Sequence, residues 1–256
     1  MSRTSSVSVL LAALVACCLC CPAPLAAQNV IDDASMRATI DGVAARAREF
    51  ERTGVRVTNI TLGAPGSWAM VGHNGASWYH AVPQAMMDRA QAVYRDGAQI
   101  LVYSLGPQNE WAVTNSGGWW LGVDRNGILD KAWEFHNAGE LPRHVSYGPN
   151  GSWTLVSATG RWWWVGANGP EGLVDRVRAT CSEDNPVLQI ALGPERSYAV
   201  LCRGGVWWMG NVPMSMVERA RAFQRQHGDI VSMAFGPDGL WAMVSINGGW
   251  WIGPGW

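Results

Sequence analysis

The chain has 256 residues and a formal net charge of −1 at pH 7, and it is unusually rich in glycine (30) and tryptophan (16). Its 19 basic residues are scattered along the sequence and are balanced by 20 acidic residues. Without a basic cluster there is no electrostatic attraction to a phosphate backbone, so no nucleic-acid partner is expected.

Residues 1–27 have the organisation of a secretory signal peptide. Arg3 precedes the apolar run VSVLLAALVACCLCC, and the small-residue run PAPLAA leads to Gln28. The apolar run is shorter than the roughly 20 residues that a membrane-spanning helix needs. We therefore expect this segment to be removed rather than retained as an anchor, and the rest of the chain to be exported.

Two processing routes are open for this segment. Cleavage after Ala27 would release a secreted or periplasmic protein. Alternatively, Leu14-Val15-Ala16-Cys17 resembles a bacterial lipobox, in which Cys17 would be lipidated and the product would be an outer-membrane lipoprotein. On either route, a lipid anchor is the only membrane contact that we expect.

The cysteines indicate one disulfide in the exported part. Four of the six cysteines lie in the signal segment, so its removal leaves Cys181 and Cys202. In an oxidising compartment, a single pair of cysteines favours a disulfide between them. Two buried free thiols are the alternative.

A repeat with a period of 42 to 45 residues runs through the rest of the chain. Each unit has a glycine that is followed five positions later by an aromatic residue. The glycines are Gly63, Gly106, Gly148, Gly193 and Gly236, and the aromatic residues are Trp68, Trp111, Trp153, Tyr198 and Trp241. Periods of this length predict a solenoid or a propeller.

The pattern within each unit predicts three strands and one helix. An alternating apolar run, such as ILVYSLG, predicts a first strand that ends in a tight turn at the glycine. A second run, such as SWAMV, and a tryptophan-rich run, such as GGWWLG, predict two more strands joined by Gly- and Asn-containing hairpin turns. A segment at helical spacing follows, as in PQAMMDRAQAVYRD (83–96).

The helix that the fifth unit lacks is found ahead of the first unit. AARAREF (44–50) aligns with VERARAF (217–223), so a helix over 34–53 would complete the last unit from the other end of the chain. A linear solenoid would need polar end units that differ from the other repeats, whereas a ring closes when its first and last elements meet. We therefore predict a mainly β fold with short helices, in one domain over 28–256. Each of its five units is a three-stranded antiparallel meander plus one helix, and together they form a closed five-fold propeller-like ring.

The third strands carry large aromatic residues at two adjacent positions, which point to opposite faces of a strand. Packing between neighbouring sheets explains most of them. Stacking on sugar rings is a second interpretation. Alignment on the small residue that closes each third strand gives the candidate binding set Tyr79, Trp120, Trp164, Trp208 and Trp251.

Four of the predicted helices carry an acidic residue followed by a basic one at the same register. The pairs are Asp88-Arg89, Asp130-Lys131, Asp175-Arg176 and Glu218-Arg219. Adjacent opposite charges on a helix are typical of a solvated face, and that is the expected role.

The repeat period and the richness in tryptophan and glycine resemble five-bladed β-propeller repeat proteins of the tachylectin type. That resemblance covers residues 44–256 in layout only, and no binding residue is carried over from it. The five units also resemble the pentein enzymes, whose catalysis implies a nucleophilic cysteine with histidine and acidic partners. Cys202 would be the candidate nucleophile, but the five histidines share no register with it.

No motif for metal binding or for hydrolysis is present, so neither a catalytic site, a metal site nor a cofactor is expected. We expect an exported, non-enzymatic binding protein whose partner is a carbohydrate. The alternative is a scaffold or inhibitor that binds another protein through loops that differ between units, 136–144 and 181–186. The oligomeric state stays open.

Overall fold

The computed structural model describes residues 33–166 and 170–255, and within them it contains five three-stranded antiparallel sheets and five α-helices. The predicted signal segment, its predicted cleavage site at Ala27 and the lipidation candidate Cys17 lie outside the described residues. Each sheet is a meander in which the strands pair in sequence order.

The first strand of each sheet is the inner strand, and the third is the outer strand. The inner strands are β1 Val57–Leu62, β4 Ile100–Leu105, β7 Pro142–Tyr147, β10 Val187–Leu192 and β13 Ile230–Phe235. The middle strands are β2 Trp68–Gly72, β5 Trp111–Asn115, β8 Trp153–Ser157, β11 Tyr198–Cys202 and β14 Leu240–Ser245. The outer strands are β3 Ser77–His80, β6 Gly118–Leu121, β9 Trp162–Val165, β12 Trp207–Gly210 and β15 Trp250–Pro254. The helices are α1 Asp33–Arg52, α2 Gln84–Arg95, α3 Ile128–Asn137, α4 Leu173–Thr180 and α5 Met214–His227.

The inner strands surround a common axis. Each one lies beside the inner strands of the two neighbouring sheets, and β13 of the fifth sheet lies beside β1 of the first. The predicted fold class is thus confirmed: a mainly β, closed, five-fold ring of the propeller type, with one helix per unit.

The helices lie between the sheets rather than behind them. Each helix packs between the sheet that precedes it in the ring and the sheet that follows it, and α1 fills this place between the fifth and first sheets. Two helical positions four residues apart supply the buried contacts. They are Val43, Met86, Ile128, Leu173 and Met216 at the first, and Ala47, Ala90, Ala132, Val177 and Ala220 at the second. The five cores therefore each join two sheets and one helix, so no unit can bury its apolar surface alone.

In four of the five units, the close approach of the neighbouring sheet explains the repeated glycine. A Cβ atom at Gly63 would lie 2.8 Å from Leu105 Cβ in the next unit, and one at Gly193 would lie 2.8 Å from Phe235 Cβ. Real Cβ atoms do not come this close, so only glycine lets the inner strands converge at this end of the ring.

Side chains from one unit accept hydrogen bonds from backbone N–H groups of the next inner strand that have no partner in their own sheet. The Asn59 amide oxygen accepts a hydrogen bond from the Tyr103 N–H (3.2 Å), and the Gln189 amide oxygen accepts one from the Met233 N–H (2.9 Å). An inner strand is the edge of its sheet, and its buried N–H groups need such partners. These bonds link neighbouring units around the axis.

Candidate functional site

The turns that follow the inner strands surround a cavity on the ring axis. Its volume is about 180 Å³. Its base is formed by the residue that precedes the repeated glycine in each unit: Leu62, Leu105, Tyr147, Leu192 and Phe235. Its rim carries the prolines that follow the glycine in four units: Pro107, Pro149, Pro194 and Pro237. We call this space the axial cavity.

The walls of the axial cavity are apolar. The Tyr147 hydroxyl donates a hydrogen bond to the Trp111 carbonyl oxygen (3.2 Å) and is buried, and that burial raises its pKa. Glu195 is the one charged lining residue within the described ranges, and its exposed backbone adopts a left-handed conformation (φ 51°) on the rim. The arrangement suits the burial of an apolar group and offers no acid–base pair for catalysis.

A polar layer lies next to the axial cavity and shares its five base residues. It encloses about 20 Å³, which is room for one water molecule. Its polar lining side chains are Asn59, Thr61, Ser104, Ser146 and Gln189.

His144 occupies the same inner-strand position as Asn59 and Gln189. Its side chain is buried, and its Nδ1 atom has no hydrogen-bond partner among the described residues. Burial, with a smaller contribution from the charge of Arg143, lowers the pKa of His144 to about 3. His144 is therefore neutral near pH 7 and is part of the ring interior rather than a titrating site.

Strand pairing corrects the register of the third-strand aromatic residues. The residue opposite the aromatic residue of the middle strand is Gly122, Gly210 and Gly253 in three units, but His80 and Val165 in the other two. Ala81 and Gly166 thus lie one residue beyond the position that the sequence alignment gave them. The tryptophans that share one position are Trp78, Trp120, Trp163, Trp208 and Trp251.

The five residues predicted to form one ring therefore do not lie at equivalent strand positions, and the prediction of a single ring is wrong. These residues are Tyr79, Trp120, Trp164, Trp208 and Trp251. Tyr79 and Trp164 pack against the helix that follows their sheet in the chain, whereas the other three lie on the face toward the helix that precedes their sheet. Successive strand residues point to opposite faces, so a one-residue error in register moves a side chain to the other side of the sheet.

Each of the five equivalent tryptophans has a basic side chain over its ring. The pairs, with the distance from Arg Cζ or Lys Nζ to the ring centroid, are Arg46–Trp78 (3.9 Å), Arg89–Trp120 (4.8 Å), Lys131–Trp163 (3.8 Å), Arg176–Trp208 (3.8 Å) and Arg219–Trp251 (5.8 Å). Four of these cations belong to the acidic–basic pairs for which the sequence predicted only a solvated face. Arg89 and Arg219 are exposed, as that prediction requires, and each basic member also makes a cation–π contact that the sequence pattern did not predict.

The cations occupy ring surface that a sugar would need. Trp163 and Trp208 keep 44% and 41% of their surface exposed, but each already stacks against a helix side chain. These outer-strand tryptophans are therefore less open to a ligand than their exposure alone indicates.

One exposed aromatic cluster breaks the five-fold pattern. Trp133 on α3 is half exposed (50%), and its ring centroid lies 5.3 Å from that of Trp119 on β6 and 5.3 Å from that of His136. The sequence pattern did not predict this cluster. The available signal was the helical position of Trp133, which holds arginine or glutamine in the other units: Arg48, Gln91, Arg178 and Arg221.

Cys181 and Cys202 form a disulfide, with their Cα atoms 5.6 Å apart. Cys181 follows the last residue of α4, and Cys202 ends β11, so the bond ties this helix end to the fourth sheet. With its sulfur in a disulfide, Cys202 is not a free nucleophile of the kind that the pentein resemblance implies.

The two loops considered for a protein partner, 136–144 and 181–186, lead from a helix into the start of an inner strand. They therefore lie at the end of the ring opposite the axial cavity. In the described ranges, no group of three or more His, Cys, Asp or Glu side chains is placed to hold a metal ion. No helix there is long and apolar enough to cross a membrane.

The chain matches no protein-family model and no curated protein. Among solved structures, it is similar to the C-terminal domain of gp131 from bacteriophage phiKZ, with 11% identity, a TM-score of 0.35, and 75% of this chain and 60% of that chain covered. It is similar to YCF48 from Cyanidioschyzon merolae, with 12% identity, a TM-score of 0.28, and 61% and 53% covered. It is also similar to YCF48 bound to D1 peptide, with 8% identity, a TM-score of 0.27, and 74% and 76% covered. The chain spans 60% and 53% of the first two of these structures.

Proposed function

We propose that this protein is an exported, non-enzymatic binding protein that holds a segment of another protein over the turn end of the ring. One apolar side chain of that segment enters the axial cavity. The observation that carries the proposal is the cavity itself, which has an apolar base of five residues and a rim of four prolines at the centre of the ring.

The size and chemistry of the cavity support an apolar side chain as the group that is bound. An apolar cavity of about 150 Å³ can accept a benzene-sized molecule, and the axial cavity has about 180 Å³. The cavity lacks the convergent polar groups that orient most small polar ligands. Prolines on the rim restrict the backbone before binding, which reduces the entropy lost when a partner docks.

Two further points support an exported binding protein rather than an enzyme. The sequence begins with a segment of signal-peptide type, and the disulfide suits an oxidising compartment. Neither the axial cavity nor the polar layer beside it pairs a nucleophile with a base.

The test is selection of peptides from a displayed random library on the purified protein. Peptides that share one apolar residue should be enriched. Their affinity should fall at least tenfold on the double variant Leu105→Phe/Leu192→Phe, because two extra rings fill the cavity. This variant should fold, since Phe235 occupies the equivalent position in the fifth unit.

Leu141→Phe is the matched control, because Leu141 is exposed in a loop at the opposite end of the ring. It should leave peptide affinity unchanged. If no apolar residue is shared among the selected peptides, or if the double variant binds them as well as the wild type does, the axial site is wrong.

Carbohydrate binding is the second candidate function. It is supported by Trp133, which is half exposed and, unlike Trp163 and Trp208, has no cation stacked on its ring among the described residues, since the C–H face of a pyranose ring can stack on an indole. Binding of glycans on an array, including bacterial cell-wall fragments, tests this function directly.

A further inference from the structure

The aromatic cluster on α3 is not required by the fold. The helical position of Trp133 is two residues beyond the cation that stacks on the outer strand. The other four units place Arg48, Gln91, Arg178 and Arg221 there. A long polar side chain therefore satisfies this position, and the tryptophan needs another explanation.

The cluster forms an aromatic corner at the surface. The Trp133 ring is inclined by 69° to the Trp119 ring and by 89° to the His136 ring. Trp119 also packs on the core between the second and third sheets, which fixes its orientation. A rigid corner of this kind offers one ring face for stacking and a second ring as a side wall.

The indole N–H groups of this corner are free to bind a ligand. In two other units, the equivalent outer-strand indole donates to a helix side chain: Trp207 to Gln224 (2.6 Å) and Trp250 to Glu51 (2.7 Å). Among the described residues, neither Trp119 nor Trp133 donates such a bond; the N–H of Trp119 is not buried, and Trp133 is half exposed. The corner therefore combines apolar faces with two unused hydrogen-bond donors.

The charges beside the corner are already paired with one another. Glu134 forms ion pairs with Lys131 and with Arg161 (2.9 Å). Glu140 lies 3.9 Å from Arg161. These two basic and two acidic side chains balance one another, so together they give a charged ligand no net attraction.

We propose that Trp119, Trp133 and His136 form a binding site for an uncharged pyranose oligosaccharide. This inference rests on the second candidate function and places that function on α3 and β6, away from the axial cavity. One sugar ring stacks on Trp133, Trp119 bounds it at the side, and the free indole N–H groups donate to its hydroxyl oxygens.

The experiment compares the wild type with Trp133→Arg on an array of neutral and acidic glycans, followed by titration of each bound glycan. Arginine occupies the equivalent position in three other helices, so the variant should keep the wild-type circular dichroism spectrum and midpoint of thermal unfolding. The wild type should bind neutral glycans, and Trp133→Arg should weaken that binding at least tenfold.

Trp208→Leu is the control, because it removes a tryptophan of similar exposure that lies in a cation–π contact. It should retain glycan binding. Loss of binding in Trp208→Leu with retention in Trp133→Arg would support carbohydrate binding but overturn this site. A wild type that binds no glycan would overturn both, and one that binds only acidic glycans would overturn the predicted neutrality of the ligand.

Discussion

The ammonium nitrogen of Lys131 lies 3.8 Å from the ring centroid of Trp163, and an equivalent cation–indole pair occurs in all five units of the ring. In each pair, the cation belongs to the helix that precedes the sheet, and the tryptophan belongs to the outer strand of that sheet. The outer strand is an exposed sheet edge with few buried neighbours. The cation therefore adds a fixed contact between helix and strand where apolar packing is weakest.

Removing one of these cations should destabilise the ring measurably. Arg176→Met keeps an unbranched chain but removes the charge over Trp208. We expect the free energy of unfolding in urea to fall by about 0.5–1 kcal/mol, the usual range for an exposed cation–π pair.

Arg178→Met is the control on the same helix. Arg178 is exposed and has no aromatic partner among the residues that the structure describes. Its replacement should change stability by less than the first substitution does. Equal effects of the two substitutions would show that the Arg176–Trp208 contact contributes nothing measurable.

Gly122→Ala should be poorly tolerated. A Cβ atom at this position would lie 2.0 Å from the Trp111 indole, which is buried between two sheets. Forced repacking of this kind typically costs about 1–3 kcal/mol. Urea denaturation of the variant should show a loss in that range.

Gly118→Ala, at the start of the outer strand that Gly122 directly follows, is the matched control for Gly122→Ala. Nothing lies within 4 Å of a Cβ atom built there. The control should stay within about 0.5 kcal/mol of the wild type, as surface substitutions usually do. A Gly122→Ala protein as stable as this control would mean that the tryptophan ring can move aside freely.

His144 should make the ring less stable in mild acid. Its pKa is about 3 in the folded protein, below the usual value of 6.5. The unfolded chain therefore binds the proton more readily, and stability falls as the pH drops from about 6.5 toward 3. At pH 5 this contribution amounts to a loss of roughly 2 kcal/mol relative to neutral pH.

His144→Gln isolates that effect, because Gln189 occupies the same position in the fourth unit. The free energy of unfolding, measured in urea at several pH values, should decline less between pH 7 and pH 5 in the variant. All other titrating groups are common to both proteins and cancel in the difference. Parallel curves for variant and wild type would contradict a buried, neutral His144.

The sequence by itself determined the number of units, their composition and the closure of the ring. Local rules govern these features: period-two alternation marks the strands, and period 3.6 marks the helices. The repeated glycine is likewise visible without a structure. The segment ahead of the first unit matches a helix of a later unit, and this match predicted that it takes the place of a repeat helix in the ring.

Only the tertiary structure decided which side chains meet. The register of the third strands depends on where each strand pairs, and a one-residue difference moved Tyr79 and Trp164 away from the other three predicted residues. The cation–indole pairs and the Trp119–Trp133 corner join side chains from different elements. The axial cavity draws its base from five units about 40 residues apart in sequence. Strand alternation and helical period specify which face a residue occupies, but not which residue of another unit it faces. The partner of each side chain in another unit is decided only when the sheets pack around the axis.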